Sequence, residues 1–210
     1  MTPENFISEG EQDILKELAN IGIGNAVTAL SSMLEEQKVE MEVPEVMVAP
    51  LQDVPESFGD PENLVAATFC EAESPDIGLV LVFVLPFEAA QNMAKRIMPE
   101  NMAGENEASE QIDDMEQSLL MELGNIITGS YLNALSFMTG LTFQTSPPKL
   151  GIDMAGAVLG TVIAETKTVD DQLILLKTEL YVEHEEIEGS IMILPDSGSL
   201  QKLVEGLGAV

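Results

Sequence analysis

Two groups of residues in this chain could do chemistry, and the second repeats the first. Glu17, Asn20 and Gly24 recur as Glu122, Asn125 and Gly129, an offset of 105 residues in a chain of 210. Spacings of three and four place such residues side by side on adjacent helical turns. The stripe continues through Asp13, Thr28 and Ser31 in the first copy and through Ser118, Asn133 and Ser136 in the second. A carboxylate and an amide without Lys, His or clustered metal ligands build neither a nucleophilic triad nor a zinc site. What an Asn amide does well is hold a water and aim it. That suffices where the substrate brings its own electrophile and metal, as an acyl phosphate with bound Mg²⁺ does, because positioning carries most of phosphoryl-transfer catalysis. The Glu would then anchor a Lys of the partner.

The glycine one turn further on costs about 1 kcal/mol relative to Ala in a helix interior. Both copies accept that cost at the same place, which flattens the surface and lets another backbone approach. One Glu-x-x-Asn alone reads as an ordinary solvated face. Here Asp13 has become Ser118 and Thr28 has become Asn133 while Glu, Asn and Gly persist, a contrast that favours a used surface over a relic of duplication. The opposite side of the first helix, Leu15, Leu18, Ile21, Ala26, Leu30 and Met33, forms the face to be buried.

Other chemistry is poorly provided for. His184, in "EHEEIE", has no counterpart in the other half and is expected on an exposed strand or turn without a catalytic role. Gly22 and Gly24 lie inside a helical pattern, not in a phosphate-cradling loop before a helix. Cys70 alone excludes an internal disulfide and suggests a reducing compartment and a buried structural thiol. Eight basic residues against 37 acidic ones give a net charge of −29, a field that repels nucleic acid and anionic lipid. Such scattered acidity suits a folded, strongly hydrated protein and fits a high-salt habitat, in which stability would rise between low and molar KCl. No run approaches the roughly 18–20 apolar residues of a membrane helix, and Met1–Gly10 has no signal-peptide pattern. The expected location is cytoplasmic, with no membrane insertion.

These stripes need a frame. Apolar residues are 45% of the chain and aromatics 4%, so Leu, Ile, Val, Met and Ala must fill the core. After each motif helix comes a proline-marked entry into extended chain, "EVPEVMVAP" (42–50) and "SPPKLGID" (146–153). Strands are predicted at 64–70 and 78–86 in the first half, and at 157–166, 171–180 and 189–195 in the second. The last strand of each half ends in Leu-Pro and leads into a short helix, at 87–98 and 197–207. The polar stretch Pro99–Glu110 is the natural join. The pattern predicts an α+β, layered fold: one domain of two internal repeats, about 1–104 and 105–210. The helix–strands–helix halves would share one continuous sheet about a pseudo-twofold axis.

At the residues of the stripes the chain resembles the CheC/CheX/FliY family of response-regulator phosphatases, in its two-motif, CheC-type form. That family's motif is Asp or Ser, three residues, Glu, two residues, Asn, then twenty-two residues and Pro. The second half matches in full at Ser118, Glu122, Asn125 and Pro148. The first matches at Asp13, Glu17 and Asn20, with Pro44 one residue late, which reads as an insertion in the turn near Glu35–Glu42. The resemblance covers essentially the whole chain. It implies the fold above and hydrolysis of the phospho-aspartate of a CheY-type response regulator in chemotaxis. Asn20 and Asn125 would orient the attacking water, and Glu17 and Glu122 would engage the receiver's Lys. Asp13 and Ser118 would support the contact. It implies no metal or cofactor of the chain's own, the Mg²⁺ being held by the receiver. It further implies binding of CheD, a receptor deamidase, placed at 197–207. The alternative is a non-catalytic adaptor that binds CheD or a flagellar-motor partner through the same faces.

Overall fold

The apolar runs of both halves fold into one antiparallel sheet with helices on both of its faces. The computed structural model describes residues 8–34, 38–54, 60–98, 112–165, 171–182 and 185–207. In chain order the elements are α1 (Glu9–Met33), β1 (Val39–Pro50), a 3₁₀ turn (Leu51–Asp53), β2 (Leu64–Glu73), β3 (Gly78–Pro86) and α2 (Phe87–Ile97). Then follow α3 (Asp114–Thr139), β4 (Gln144–Thr145), β5 (Lys149–Met154), α4 (Ala155–Glu165), β6 (Gln172–Val182), β7 (Glu185–Pro195) and α5 (Ser199–Leu207). His184 and the join Pro99–Glu110 lie outside the described residues.

The strand order is β1-β6-β7-β3-β2, with β5 and the two-residue β4 both pairing with the far side of β2. Matching β1 with β5, β2 with β6 and β3 with β7 makes this order read the same from either edge. The two halves meet where β3 pairs with β7, from Leu79↔Pro195 to Val84↔Ser190. Each half also lends its first strand to the other: β1 pairs with β6 and β5 with β2. The halves are therefore tied at three strand boundaries.

Continuous apolar strands follow from burial on both faces. Along β3, Leu79, Leu81, Phe83 and Leu85 join the core beneath α1, α2, α3 and α5, while Val80, Val82 and Val84 join a second core on the other face. Cys70 belongs to the first core; it is 5% exposed and burial pushes its thiol pKa up, as expected of a structural thiol. The second core is closed by α4 and the segment around Val54. The stretch 157–166, expected as a strand from its Val, Ile and Thr content, is instead helical through Glu165. Ala155, Val158, Leu159 and Val162 point inward and are all at most 6% exposed, at spacings of three and four, whereas Ala157, Gly160, Thr161 and Ala164 face out. An uncovered apolar sheet face outweighs a few tenths of a kcal/mol of intrinsic preference per residue.

The insertion is expected in the turn near Glu35–Glu42, of which residues 35–37 lie outside the described residues; the irregularity that the structure shows is a bulge just past that stretch, inside β1. Glu42 pairs with Glu179 and Glu45 with Lys177, so Val43 and Pro44 together face the single residue between them on β6. Pro44 has no N–H to donate and suits a bulge, where the ladder is interrupted.

Candidate functional site

Helices α1 and α3 carry the two stripes, and both begin in the same way. Ser8 caps α1 and Asp113 caps α3, with Glu11 and Glu116 reaching back as reciprocal partners. The Asp113 carboxylate accepts from the N–H groups of Met115 and Glu116, both at 2.8 Å, and the Asp113 N–H donates to Glu116 at 2.8 Å. These capping boxes sit 105 residues apart like the stripes, a repeat legible in the sequence as Ser-x-x-Glu and Asp-x-x-Glu that the search for chemistry on the stripes passes over. They fix the helix starts four or five residues before Asp13 and Ser118. The Ser8 hydroxyl and N–H hold the Glu11 carboxyl below its ordinary value. Its stabilising contribution is therefore present above that ordinary value and is lost as pH falls through the lower folded one.

The inward faces pack the two helices together and onto the sheet. Leu15, Leu18, Ala26 and Leu30 of α1 are fully buried as expected, while Ile21 and Met33 are half-buried and Ala19, Gly22 and Leu34 complete the face. Two glycines outside the stripes govern the contact. A Cβ on Gly22 would stand 2.8 Å from ring carbons of Tyr131 on α3, and one on Gly124 would stand 2.6 Å from Thr68 Cγ2 on β2. Tyr131 is fully buried, its hydroxyl without a partner among the described residues, and burial raises its pKa. In the repeat, Gly22 corresponds to Ile127 and Tyr131 to Ala26, so a small residue on one helix answers a large one on the other in both copies.

The outward faces are different. Asp13, Glu17, Asn20 and Gly24 are all exposed, as are Ser118, Glu122 and Asn125, with Gly129 half-buried. Each stripe is thus assembled on one helix face as the spacing predicts. The side chains of Glu17, Asn20, Glu122 and Asn125 have no hydrogen-bond partner among the described residues. Asp13 pairs loosely with Lys16 at 3.4 Å, and the Ser118 hydroxyl donates to the Asp114 carbonyl of its own helix at 2.9 Å. The pairs that could hold a water and a cation are free to do so, while their neighbours on the stripe are engaged within the helix.

Gly24 and Gly129 meet nothing within 4 Å of an added Cβ, in contrast to Gly22 and Gly124. Packing inside the chain does not require them. Gly24→Ala and Gly129→Ala should each raise the unfolding free energy by about 0.5–1 kcal/mol in denaturant titrations. A drop in stability would refute the open space seen at these positions. If the flattened face is used by a partner, the same variants lose activity as they gain stability.

Each stripe runs along the outward face of one helix. A cavity of about 880 Å³ lies on the sheet face turned away from α1 and α3, lined among others by Pro44, Leu64, Pro86, Lys177, Glu188 and Ser190. None of the candidate residues contributes to it. Among the described residues no group of three His, Cys, Asp or Glu side chains is placed to hold a metal ion, and no helix is long and apolar enough to cross a membrane.

Known proteins are similar to this chain in sequence and fold. The model of the CheC-like family matches residues 11–48 and 115–152, the two motif helices with the entry into the strand after each. The chain is 33% identical over 207 residues to the CheY-P phosphatase CheC of Bacillus subtilis, covering 98% of this chain and 97% of that one. It is 27% identical over 190 residues to the flagellar motor switch phosphatase FliY of the same organism, covering 90% of this chain and 47% of the relative. The crystal structure of Thermotoga maritima FliY superposes with a TM-score of 0.72 at 23% identity, covering 96% of this chain and 98% of that one. With near-complete coverage at this identity, two family matches on the two motif helices and the shared fold, the chain belongs to the CheC-like family.

Proposed function

We propose that this protein hydrolyses the phospho-aspartate of a CheY-type response regulator, using the α1 and α3 stripes as two sites. The observation that carries this reading is the state of the Glu17, Asn20, Glu122 and Asn125 side chains: exposed, unpartnered among the described residues, and mounted on helices whose other faces are packed. The name of the full-length relative, a CheY-P phosphatase, supports it. So does the position of the stripes on exposed helix faces away from the cavity, since a small phosphorylated molecule is held by a concave pocket, whereas a helix face suits a protein partner.

The chemistry then divides between the partners. The receiver supplies the acyl phosphate, the Mg²⁺ that neutralises its oxygens, and a Lys close to the phosphate. Glu17 or Glu122 engages that Lys and fixes the orientation. The amide of Asn20 or Asn125 holds a water in line with the P–O bond to the aspartate. The water oxygen bonds to phosphorus as that bond breaks, the aspartate leaves as a carboxylate, and the water's proton passes to phosphate oxygen or solvent. Asn takes no proton, so its contribution is orientation alone. CheD is a second proposed partner, and the cytoplasm, where receivers work, the proposed location.

The test is the decay of a phosphorylated receiver in Mg²⁺ with and without the protein. Acceleration that saturates with receiver concentration is expected. An unchanged decay rate, also with CheD present, would leave only an adaptor that binds through the same faces.

A further inference from the structure

We propose that the two sites hold the receiver unequally, because Met115 and Phe137 give the α3 site apolar binding contacts that the α1 site lacks. This inference rests on the proposed function and concerns how the same surface recognises its substrate. Phe137 is 77% exposed and Met115 47%, on a helix whose other large apolar side chains are buried or half-buried. Met115 precedes Glu122 by seven residues, two turns, and so lies on the same face. Phe137 follows Asn133 by four and lies past Gly129 at the edge of the exposed face, about 60° around the helix from Glu122 and about 120° from Asn125.

The distances suit a protein partner. At about 1.5 Å per residue, Met115 lies roughly 10 Å along the axis from Glu122, and Phe137 roughly 18 Å beyond Asn125. A standard interface covers about 800 Å² on each partner, a patch on the order of 30 Å across. A receiver centred on Glu122 and Asn125 therefore reaches Met115 within its half-width of about 15 Å, and reaches Phe137 where its footprint extends along the C-terminal part of α3.

The repeat provides an internal comparison. At the offset of 105 residues, Met115 corresponds to Gly10 and Phe137 to Ser32, both exposed. The polar pair that does the chemistry stands on both helices, while the apolar pair stands on one. Neither Met115 nor Phe137 is needed for packing, since each leaves the core largely unattended. Burying two such side chains against a partner strengthens binding without touching the water-aiming amide, so the inequality falls on affinity and not on turnover.

Single-site proteins test this. Asn20→Ala leaves only the α3 site working and Asn125→Ala only the α1 site. In the α3-only protein, Phe137→Ser should raise KM for the phosphorylated receiver about tenfold, with the change in KM and not in kcat. Met115→Gly should act in the same direction, and in the α1-only protein Ser32→Phe should lower KM severalfold. Because these positions are exposed, the melting temperature serves as the control for folding. An unchanged KM on Phe137→Ser in an otherwise active α3-only protein would overturn the inference and leave the phosphatase reading standing. Equal effects in both single-site proteins, or loss of self-association in place of a KM change, would overturn it too. A parent protein that does not accelerate receiver decay overturns both.

Discussion

Asn20→Ala combined with Asn125→Ala is expected to lower the accelerated decay of a phosphorylated receiver about a hundredfold, close to its intrinsic rate. Losing one well-placed polar group that acts in the transition state costs on the order of 3 kcal/mol. Within one turn of each Asn the stripe holds only a Glu and a Gly, neither of which can replace the amide; further back, the Ser118 hydroxyl donates to its own helix and Asp13 faces Lys16. The change cannot act through unfolding, since both Asn side chains are exposed and unpartnered among the described residues, and Ala is the better helix former by up to about 0.7 kcal/mol. The double variant should melt at or above the parent temperature. It should also still bind the receiver, because Glu17 and Glu122 remain. Full activity in the double variant would remove Asn from the mechanism. Loss of all activity on Asn125→Ala alone would reduce the α1 stripe to a copy without function.

Gly124→Ala is expected to be the most damaging single methyl on α3, lowering stability by about 3 kcal/mol and the melting temperature by roughly 6–12 °C. Its Cβ would meet Thr68 at Cβ, Oγ1 and Cγ2 together, so no rotation of the Thr68 side chain relieves all three contacts. Thr68 is 3% exposed in the middle of β2, and its hydroxyl donates to the Leu120 carbonyl of α3 at 3.3 Å. Either the helix lifts off the sheet and that bond is lost, or β2 moves against both of its neighbours. Gly129, five residues along the same helix, carries the opposite expectation. Thermal melts of the two variants side by side decide the matter, and equal effects would contradict the packing described above.

The candidate sites are readable in the amino-acid sequence. A helix repeats every 3.6 residues and its register is local, so spacings of three and four are enough to place Glu17, Asn20, Glu122 and Asn125 on exposed faces. The same logic finds the buried Leu15, Leu18 and Leu30, and the Leu-Pro ends of β3 and β7 where a strand gives way to a helix. The duplication is written in the chain, and with it the expectation of a shared sheet.

Tertiary contact decided the rest. The run after Asp153 carries strand-forming residues, yet it folds as α4 because the second face of the sheet required a cover that local sequence does not announce. Which strand neighbours which is equally non-local: the exchange of β1 and β5 between halves depends on pairing across long stretches of chain, more than a hundred residues for β1 with β6. The glycines make the point most sharply. Spacing sets Gly24 and Gly129 on the outward stripe, but only the presence of Tyr131 or Thr68 opposite a missing Cβ shows that Gly22 and Gly124 are the ones that let the core close. Sequence determined which polar side chains face outward, because that depends on one helix alone. The fold decided what holds those helices in place, because that depends on partners distant in the chain.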